Sequence, residues 1–143
     1  EIPLYGKTCM HCDEAMTAIL LEAAGAGLVA AGSHFHHDIL ISEPRVHAGL
    51  VASGDRFVSN ADDAATLRAD LQSAGHAVLA VEMEGAAVAQ VCFDYGVPFA
   101  AMRTISDRAD DQAHVDFSAF VLQVASPYAL AIVSQFMHLL SKE

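Results

Sequence analysis

The fold is decided by two short segments, Val81-Glu82-Met83-Glu84-Gly85 and Arg103-Thr104-Ile105-Ser106-Asp107. Each follows an apolar run that is too short for a helix, residues 77–81 in one case and residues 99–102 in the other. Between the two runs, residues 85–96 repeat apolar side chains at helical spacing and end on a glycine. The order strand, helix, strand predicts parallel strands joined by a right-handed crossover.

Acidic side chains follow both predicted strands. Glu84 comes after the first apolar run and Asp107 after the second. Ligands of open parallel sheets bind beyond the carboxyl ends of the strands, so we expect the chemistry of this protein there. On position alone, carboxylates at strand-to-helix turns are more often solvated or capping groups than catalytic ones.

A helix is predicted near the start of the chain. Asp13 is a good N-cap, and apolar side chains recur at helical spacing from Met16 to Ala23. Gly25 and Gly27 are expected to end this helix. The β-like segment from Val46 to Ser53 is a further strand candidate.

Two more helices complete the pattern. One is expected from Asn60 to Gly75, between strand candidates, and a long one from about Phe117 to Leu140. Pro127 lies inside the last helix and cannot bond to the carbonyl four residues earlier, so a kink or break is expected near residues 123–126. Strands that alternate with helices predict the α/β class.

Length, charge and cysteine content limit the possible functions. The 143 residues suit one domain, and the chain enters on Glu1 without a first strand, as a piece of a longer protein would. A net charge of −11 argues against nucleic acid and anionic membrane surfaces as partners. No apolar run approaches the roughly 18 residues of a membrane span. Three cysteines make no disulfide framework, and with no secretory signal visible they favour a reducing cytosol.

Three motifs in register resemble the 5'-methylthioadenosine/S-adenosylhomocysteine nucleosidases. They are Ser53-Gly54-Asp55-Arg56-Phe57, the segment from Val81 to Ala89, and the segment from Arg103 to Asp110. The resemblance covers Val46 to Leu140 and implies a three-layer α/β/α fold with the mixed sheet of the nucleoside phosphorylase/hydrolase superfamily. It implies one partial domain over residues 1–143, incomplete because no segment resembles the family's N-terminal half.

The resemblance implies hydrolysis of the N-glycosidic bond of methylthioadenosine or adenosylhomocysteine, with release of adenine. Asp107 matches the acid that protonates adenine at N7, which requires a carboxyl group whose pKa is raised by burial or by the bound base. Glu84 matches the carboxylate that binds the ribose hydroxyls, and Met83 an apolar contact to the sugar. Phe57 would stack on the purine, and the backbone of Val58 would read its edge.

Three further positions match the family near the sugar. Glu82 matches an acidic position close to the ribose and the attacking water, and Arg103 and Ser106 would orient the acid. The family implies a cytoplasmic homodimer in methionine salvage that uses no metal and no cofactor beyond water. Its glutamate that activates the water lies in the N-terminal half, which has no counterpart in this chain.

Two alternatives remain open at this stage. A purine nucleoside phosphorylase shares the fold but requires a phosphate site built from basic residues, and only Arg56 and Arg103 lie in the matching motifs. The other alternative is a catalytically inactive fragment that dimerises through its apolar surface.

Soft metal ligands occur in two clusters near the start of the chain. They are Cys9, His11 and Cys12, and then His34, His36 and His37. Their spacing fits no standard zinc pattern. We interpret them as surface histidines and an incidental thiol pair, with a metal site as the alternative.

Overall fold

The computed structural model describes residue 2 and residues 5–31, 44–106 and 117–142. A pair of packed helices and a small parallel sheet are its main assemblies. In chain order the elements are α1 (Glu14–Ala31), β1 (Leu50–Ser53), α2 (Ala61–Ser73), β2 (Val78–Glu82), α3 (Gly85–Asp94), α4 (Phe117–Phe120), a π-helical turn (Val121–Ala125) and α5 (Ser126–Leu140). The predicted α/β class is confirmed, with an incomplete sheet.

The sheet pairs β1 with β2 in parallel, as predicted. Leu50 lies opposite Val78 and Ser53 opposite Glu82, with an irregularity in register directly after Leu50. The amide of Gly54 donates to the carbonyl of Glu82 at 3.2 Å and extends the pairing by one residue. Helix α2 packs on β2 and forms the crossover between the strands. The carboxyl ends of the two strands therefore lie side by side.

The third predicted strand is wrong. Residues 99–102 form no strand in the part of the chain that the structure describes. The carbonyl of Phe99 accepts a hydrogen bond at 2.7 Å from the amide of Asp13, and Met102 packs against the helical core. The backbone groups of a strand need hydrogen-bond partners on a neighbouring strand. Here the carbonyl of Phe99 is bonded instead to an amide at the start of α1.

The predicted end of the first helix is also wrong. Helix α1 continues through Gly25 and Gly27 to Ala31. A Cβ atom placed on Gly27 would lie 2.7 Å from Cγ1 and 2.9 Å from Cα of Ile132, so the glycine lets the two helices approach closely. Packing of α1 on α5 outweighs the weak helix propensity of glycine, because tertiary contacts supply most helical stability in proteins.

The described core lies between α1 and the C-terminal helical segment. Small side chains of α1 face larger side chains of the C-terminal segment, which recur every four residues. Among these, Val124 is only 1% exposed. The buried members are Ala23, Ala24, Ala31, Phe120, Val124, Tyr128 and Ile132. This narrow interface joins the start of the chain to its end.

The break predicted before Pro127 is confirmed. The backbone between α4 and α5 widens into a π-helical turn, in which the amide of Ser126 donates to the carbonyl of Val121, five residues earlier. Pro127 has no amide hydrogen and cannot make the regular helical hydrogen bond. The π-helical turn therefore lies where the hydrogen bonding of the helix is already interrupted.

The segment before α1 is fastened to the end of α3. The Tyr5 hydroxyl donates to the Asp94 carboxylate, and this hydrogen bond raises the pKa of the Tyr5 phenol. The rings of Tyr5 and Phe93 meet edge to face at 5.6 Å, and Nζ of Lys7 lies 4.1 Å from the Phe93 centroid. No sequence pattern predicted this contact.

Two helical stretches are long and apolar enough to span a membrane by length and composition alone, contrary to the sequence prediction. They are Glu14–Ala31 and Ser118–Leu140. Core helices of water-soluble proteins pass the same test, and these two stretches pack on each other. The finding is weak support for a membrane location.

Gly27→Ala should lower the free energy of unfolding by about 1–3 kcal/mol, because the added methyl group overpacks the contact with Ile132. Gly25→Ala is the matched control, since a Cβ at Gly25 meets no atom within 4 Å. That substitution should raise stability by about 1 kcal/mol through helix propensity. Urea unfolding followed by circular dichroism measures both, and equal effects would contradict the packing role of Gly27.

Candidate functional site

The candidate site lies where β1 and β2 end side by side. Ser53 is the last residue of β1 and Glu82 the last of β2, and the two are register partners. The Ser53 hydroxyl oxygen accepts a hydrogen bond at 3.0 Å from the amide of Ala86, in the first turn of α3. Helix α3 therefore starts directly on the ends of both strands.

Glu82 is the most connected side chain of the site. Its Oε2 accepts hydrogen bonds from the amides of Glu84 at 3.1 Å and Gly85 at 2.8 Å, and its Oε1 accepts from Gly85 at 2.9 Å. The Arg103 guanidinium also donates to Oε2. Only 11% of the Glu82 side chain is exposed. The carboxylate is thus enclosed by donors from this one chain.

These donors keep Glu82 ionised. Burial alone would raise the pKa of Glu82. The hydrogen bonds from Ser53, from the amides of Glu84 and Gly85 and from Arg103 together lower the pKa by more than burial raises it, so it lies below its ordinary value.

Glu84 has the opposite environment. Its side chain is 72% exposed and makes no hydrogen bond to the helix that it precedes. Nη2 of Arg103 lies 3.6 Å from Oε2 of Glu84, so one guanidinium faces both glutamates. Met83, between them, is 39% exposed. The arrangement places an exposed carboxylate and a partly exposed apolar side chain beside an ion pair whose arginine is 40% exposed.

The loop after β1 exposes an aromatic ring. Phe57 is 75% exposed, and Val58 beside it is half-buried. The loop is fixed at its far end, where the Asn60 side chain accepts a hydrogen bond at 2.8 Å from the amide of Asp63 and caps α2. Arg56 pairs with Asp63 and lowers the pKa of that carboxyl group.

The predicted site residues are only partly brought together in the described region. Glu82, Glu84 and Arg103 form one cluster, and Ser106 is half-buried at the end of the segment 44–106. Asp107, predicted as the acid, lies outside the described residues. Its position at the site remains a prediction.

The candidate metal ligands do not converge in the described part of the chain, where no group of three His, Cys, Asp or Glu side chains is placed to hold an ion. Cys9 instead lies 3.8 Å from Nδ1 of His76, while His11 and Cys12 are exposed. The second cluster, His34, His36 and His37, falls outside the described residues.

Sequence reasoning missed the structural role of Ser53. Its hydroxyl caps α3 and contributes to the low pKa of Glu82. No local signal marks this role, because the serine and the amide from which it accepts a hydrogen bond are 33 residues apart in the chain.

Comparison with known proteins identifies the superfamily. The model of the phosphorylase superfamily matches residues 3–138, and the chain belongs to this superfamily.

Within it, the chain is similar to proteins named 5'-methylthioadenosine/S-adenosylhomocysteine nucleosidase. It is 42% identical to that of Haemophilus ducreyi over 92 residues, which cover 62% of this chain and 38% of the relative. It is 32% identical to that of Shewanella denitrificans over 117 residues, covering 82% of this chain and 45% of the relative. The chain thus spans less than half the length of these curated relatives.

Glu82→Gln should lower stability at neutral pH by about 1–2 kcal/mol, because charge-assisted hydrogen bonds are lost. A lowered pKa stabilises the fold above the ordinary glutamate value of 4.5, and this stabilisation disappears as pH falls through the lowered pKa. The stability difference between the wild type and Glu82→Gln should therefore shrink as the pH falls below 4.5.

Urea unfolding between pH 3 and pH 7 measures this difference. Glu22→Gln, at an exposed glutamate of α1, is the control and should show a small difference across this range. A constant gap between wild type and Glu82→Gln would contradict the ionised role of Glu82.

Proposed function

We propose that this chain carries the purine and ribose side of a nucleosidase that hydrolyses the N-glycosidic bond of methylthioadenosine or adenosylhomocysteine. The observation that carries the proposal is that Arg103 lies between the mostly covered Glu82 and the exposed Glu84 at the carboxyl end of β2. The similarity to proteins of that name supports it. Residues 1–143 would then be one partial domain.

The proposed chemistry divides between a base side and a sugar side. As the bond from ribose C1' to adenine N9 breaks, the sugar gains positive charge and the base negative charge. Asp107 would donate a proton to N7 of the leaving adenine, and the oxygen of a water molecule would bond to C1'. Glu84 would accept hydrogen bonds from the ribose hydroxyls, with Met83 against the sugar.

The purine would lie on the loop after β1. Phe57 is exposed and aromatic, as a ring that stacks on a base must be before binding. The backbone of Val58 would contact the purine edge, and Arg103 and Ser106 would orient the acid.

Charge pairing favours hydrolysis over phosphorolysis. A phosphorylase needs cationic groups that are available to phosphate. Both arginines of the matching motifs are engaged with carboxylates, Arg56 with Asp63 and Arg103 with Glu82 and Glu84. An arginine neutralised in this way is a poor phosphate ligand, because the bound carboxylate competes with the phosphate.

The alternative that the sequence left open is a catalytically inactive fragment. The chain covers 38% of one relative and 45% of another, and the resemblance assigns the water-activating glutamate to the part without a counterpart here. Loss of a positioned base costs about 10²–10⁴ in rate.

Adenine release from methylthioadenosine tests the nucleosidase. We expect release that does not depend on phosphate and that Asp107→Asn reduces by about 10²–10⁴, because the variant cannot protonate N7. Chromatographic detection of adenine, with and without phosphate, measures it.

Release only with phosphate would contradict the nucleosidase and favour a phosphorylase. A folded protein that binds methylthioadenosine but releases no adenine would favour the non-catalytic fragment. Phe57→Leu is the matched variant for the binding step, since it keeps apolar bulk and removes the stacking ring.

We also propose that the protein is a cytoplasmic homodimer in methionine salvage. Large apolar side chains of the described helices and sheet remain exposed, for example Val29 at 81%, Leu130 at 72% and Leu79 at 61%. Such surface favours association. Sedimentation should give twice the chain mass, and a stable monomer would contradict the dimer.

A further inference from the structure

The resemblance placed Glu82 beside the sugar and the attacking water, but its contacts leave no room for that task. An ionised carboxylate offers about four acceptor positions. Those of Glu82 meet the amides of Glu84 and Gly85, the Arg103 guanidinium and the Ser53 hydroxyl. A sugar hydroxyl would have to displace one of these donors.

The start of α3 shows what these contacts achieve. The first amides of a helix have no partner within the helix. Here Glu82 receives those of Glu84 and Gly85, and Ser53 receives that of Ala86. Normally the side chain of the N-cap residue supplies such a contact. Glu84 is the N-cap residue of α3, with φ −122° and ψ −26°, and its side chain makes no capping bond.

Ser53 thus supplies the contact to the second helical amide that an N-cap side chain normally makes, and Glu82 accepts from the two amides before it. The carboxylate of Glu84 is left 72% exposed, while its backbone is tied by its amide to Glu82. Glu82 also holds Arg103, whose guanidinium lies 3.6 Å from the Glu84 carboxylate. Both the backbone of Glu84 and the cation beside it are fixed through one neighbouring side chain.

We propose that Glu82 is a positioning residue that orients Glu84 for the ribose hydroxyls, and that it does not contact the substrate itself. The part that concerns ribose rests on the proposed function. The part that concerns the turn from Glu82 to Gly85 stands on the hydrogen bonds alone.

Amide hydrogen exchange tests the turn. In Glu82→Ala, exchange at the amides of Glu84 and Gly85 should accelerate about ten- to a hundredfold, because each loses a charge-assisted hydrogen bond. Asp13→Ala is the matched control. It removes the cap of α1, where the Asp13 side chain accepts from the amide of Met16 at 2.8 Å, and should leave both of those rates unchanged. Unchanged exchange in Glu82→Ala would overturn the proposal.

Calorimetric binding of methylthioadenosine and of its 2'-deoxy analogue, measured in an Asp107→Asn background that hydrolyses them slowly, tests the link to ribose. Glu82→Ala should weaken methylthioadenosine binding about tenfold and the analogue much less. In a Glu84→Ala background the same change should have little further effect, because the residues act in series. Independent, additive effects would mean that Glu82 contacts the sugar directly, and would overturn the proposal.

The two arms separate the possible failures. If Asp107→Asn binds no nucleoside and the wild type releases no adenine, while Glu82→Ala accelerates exchange, the proposed function fails and the role of Glu82 in the turn stands. If binding is retained and exchange does not change, the function stands and the positioning role fails.

Discussion

The Glu82 carboxylate is the interaction on which the site depends. The carboxylate accepts hydrogen bonds from the start of α3 and from Arg103 in the segment beyond that helix. The backbone carbonyl of Glu82 accepts a hydrogen bond from the amide of Gly54, after β1. A charge that is largely removed from solvent needs donors around it, and only 11% of the Glu82 side chain is exposed. The same donors that stabilise the Glu82 carboxylate also join the ends of both strands, the helix and the arginine into one unit.

The sequence predicted this unit well where the signals are local. Short apolar runs ending in Ser53 and Glu82 predicted parallel strands, and the glycine at the end of α3 predicted its stop. Placement of Glu84 at a strand end followed from the same pattern. The sequence did not predict that the Glu82 side chain is largely covered while that of Glu84 is exposed. The difference depends on contacts with residues distant in the chain, such as Arg103.

The errors concern contacts between segments that are far apart in the chain. Gly27 looked like a helix end, since glycine has low helix propensity, but it lies against Ile132 of a helix that starts a hundred residues later. Residues 99–102 looked like a strand, but Phe99 bonds to Asp13. In both cases a tertiary partner decided the structure, and periodicity within one segment carries no information about such a partner.

The π-helical turn from Val121 to Ala125 has a consequence for how this chain tolerates insertions and deletions. A single π-helical turn is equivalent to one extra residue in an α-helix. Each residue of a helix turns the chain by about 100°, so the extra residue sets the rotation of α4 relative to α5. Removing one residue there would rotate Phe120 by about 100° relative to α5 and turn it away from α1, where it is now buried. The number of residues in this segment, and not only their identity, therefore determines which side chains are buried in the core.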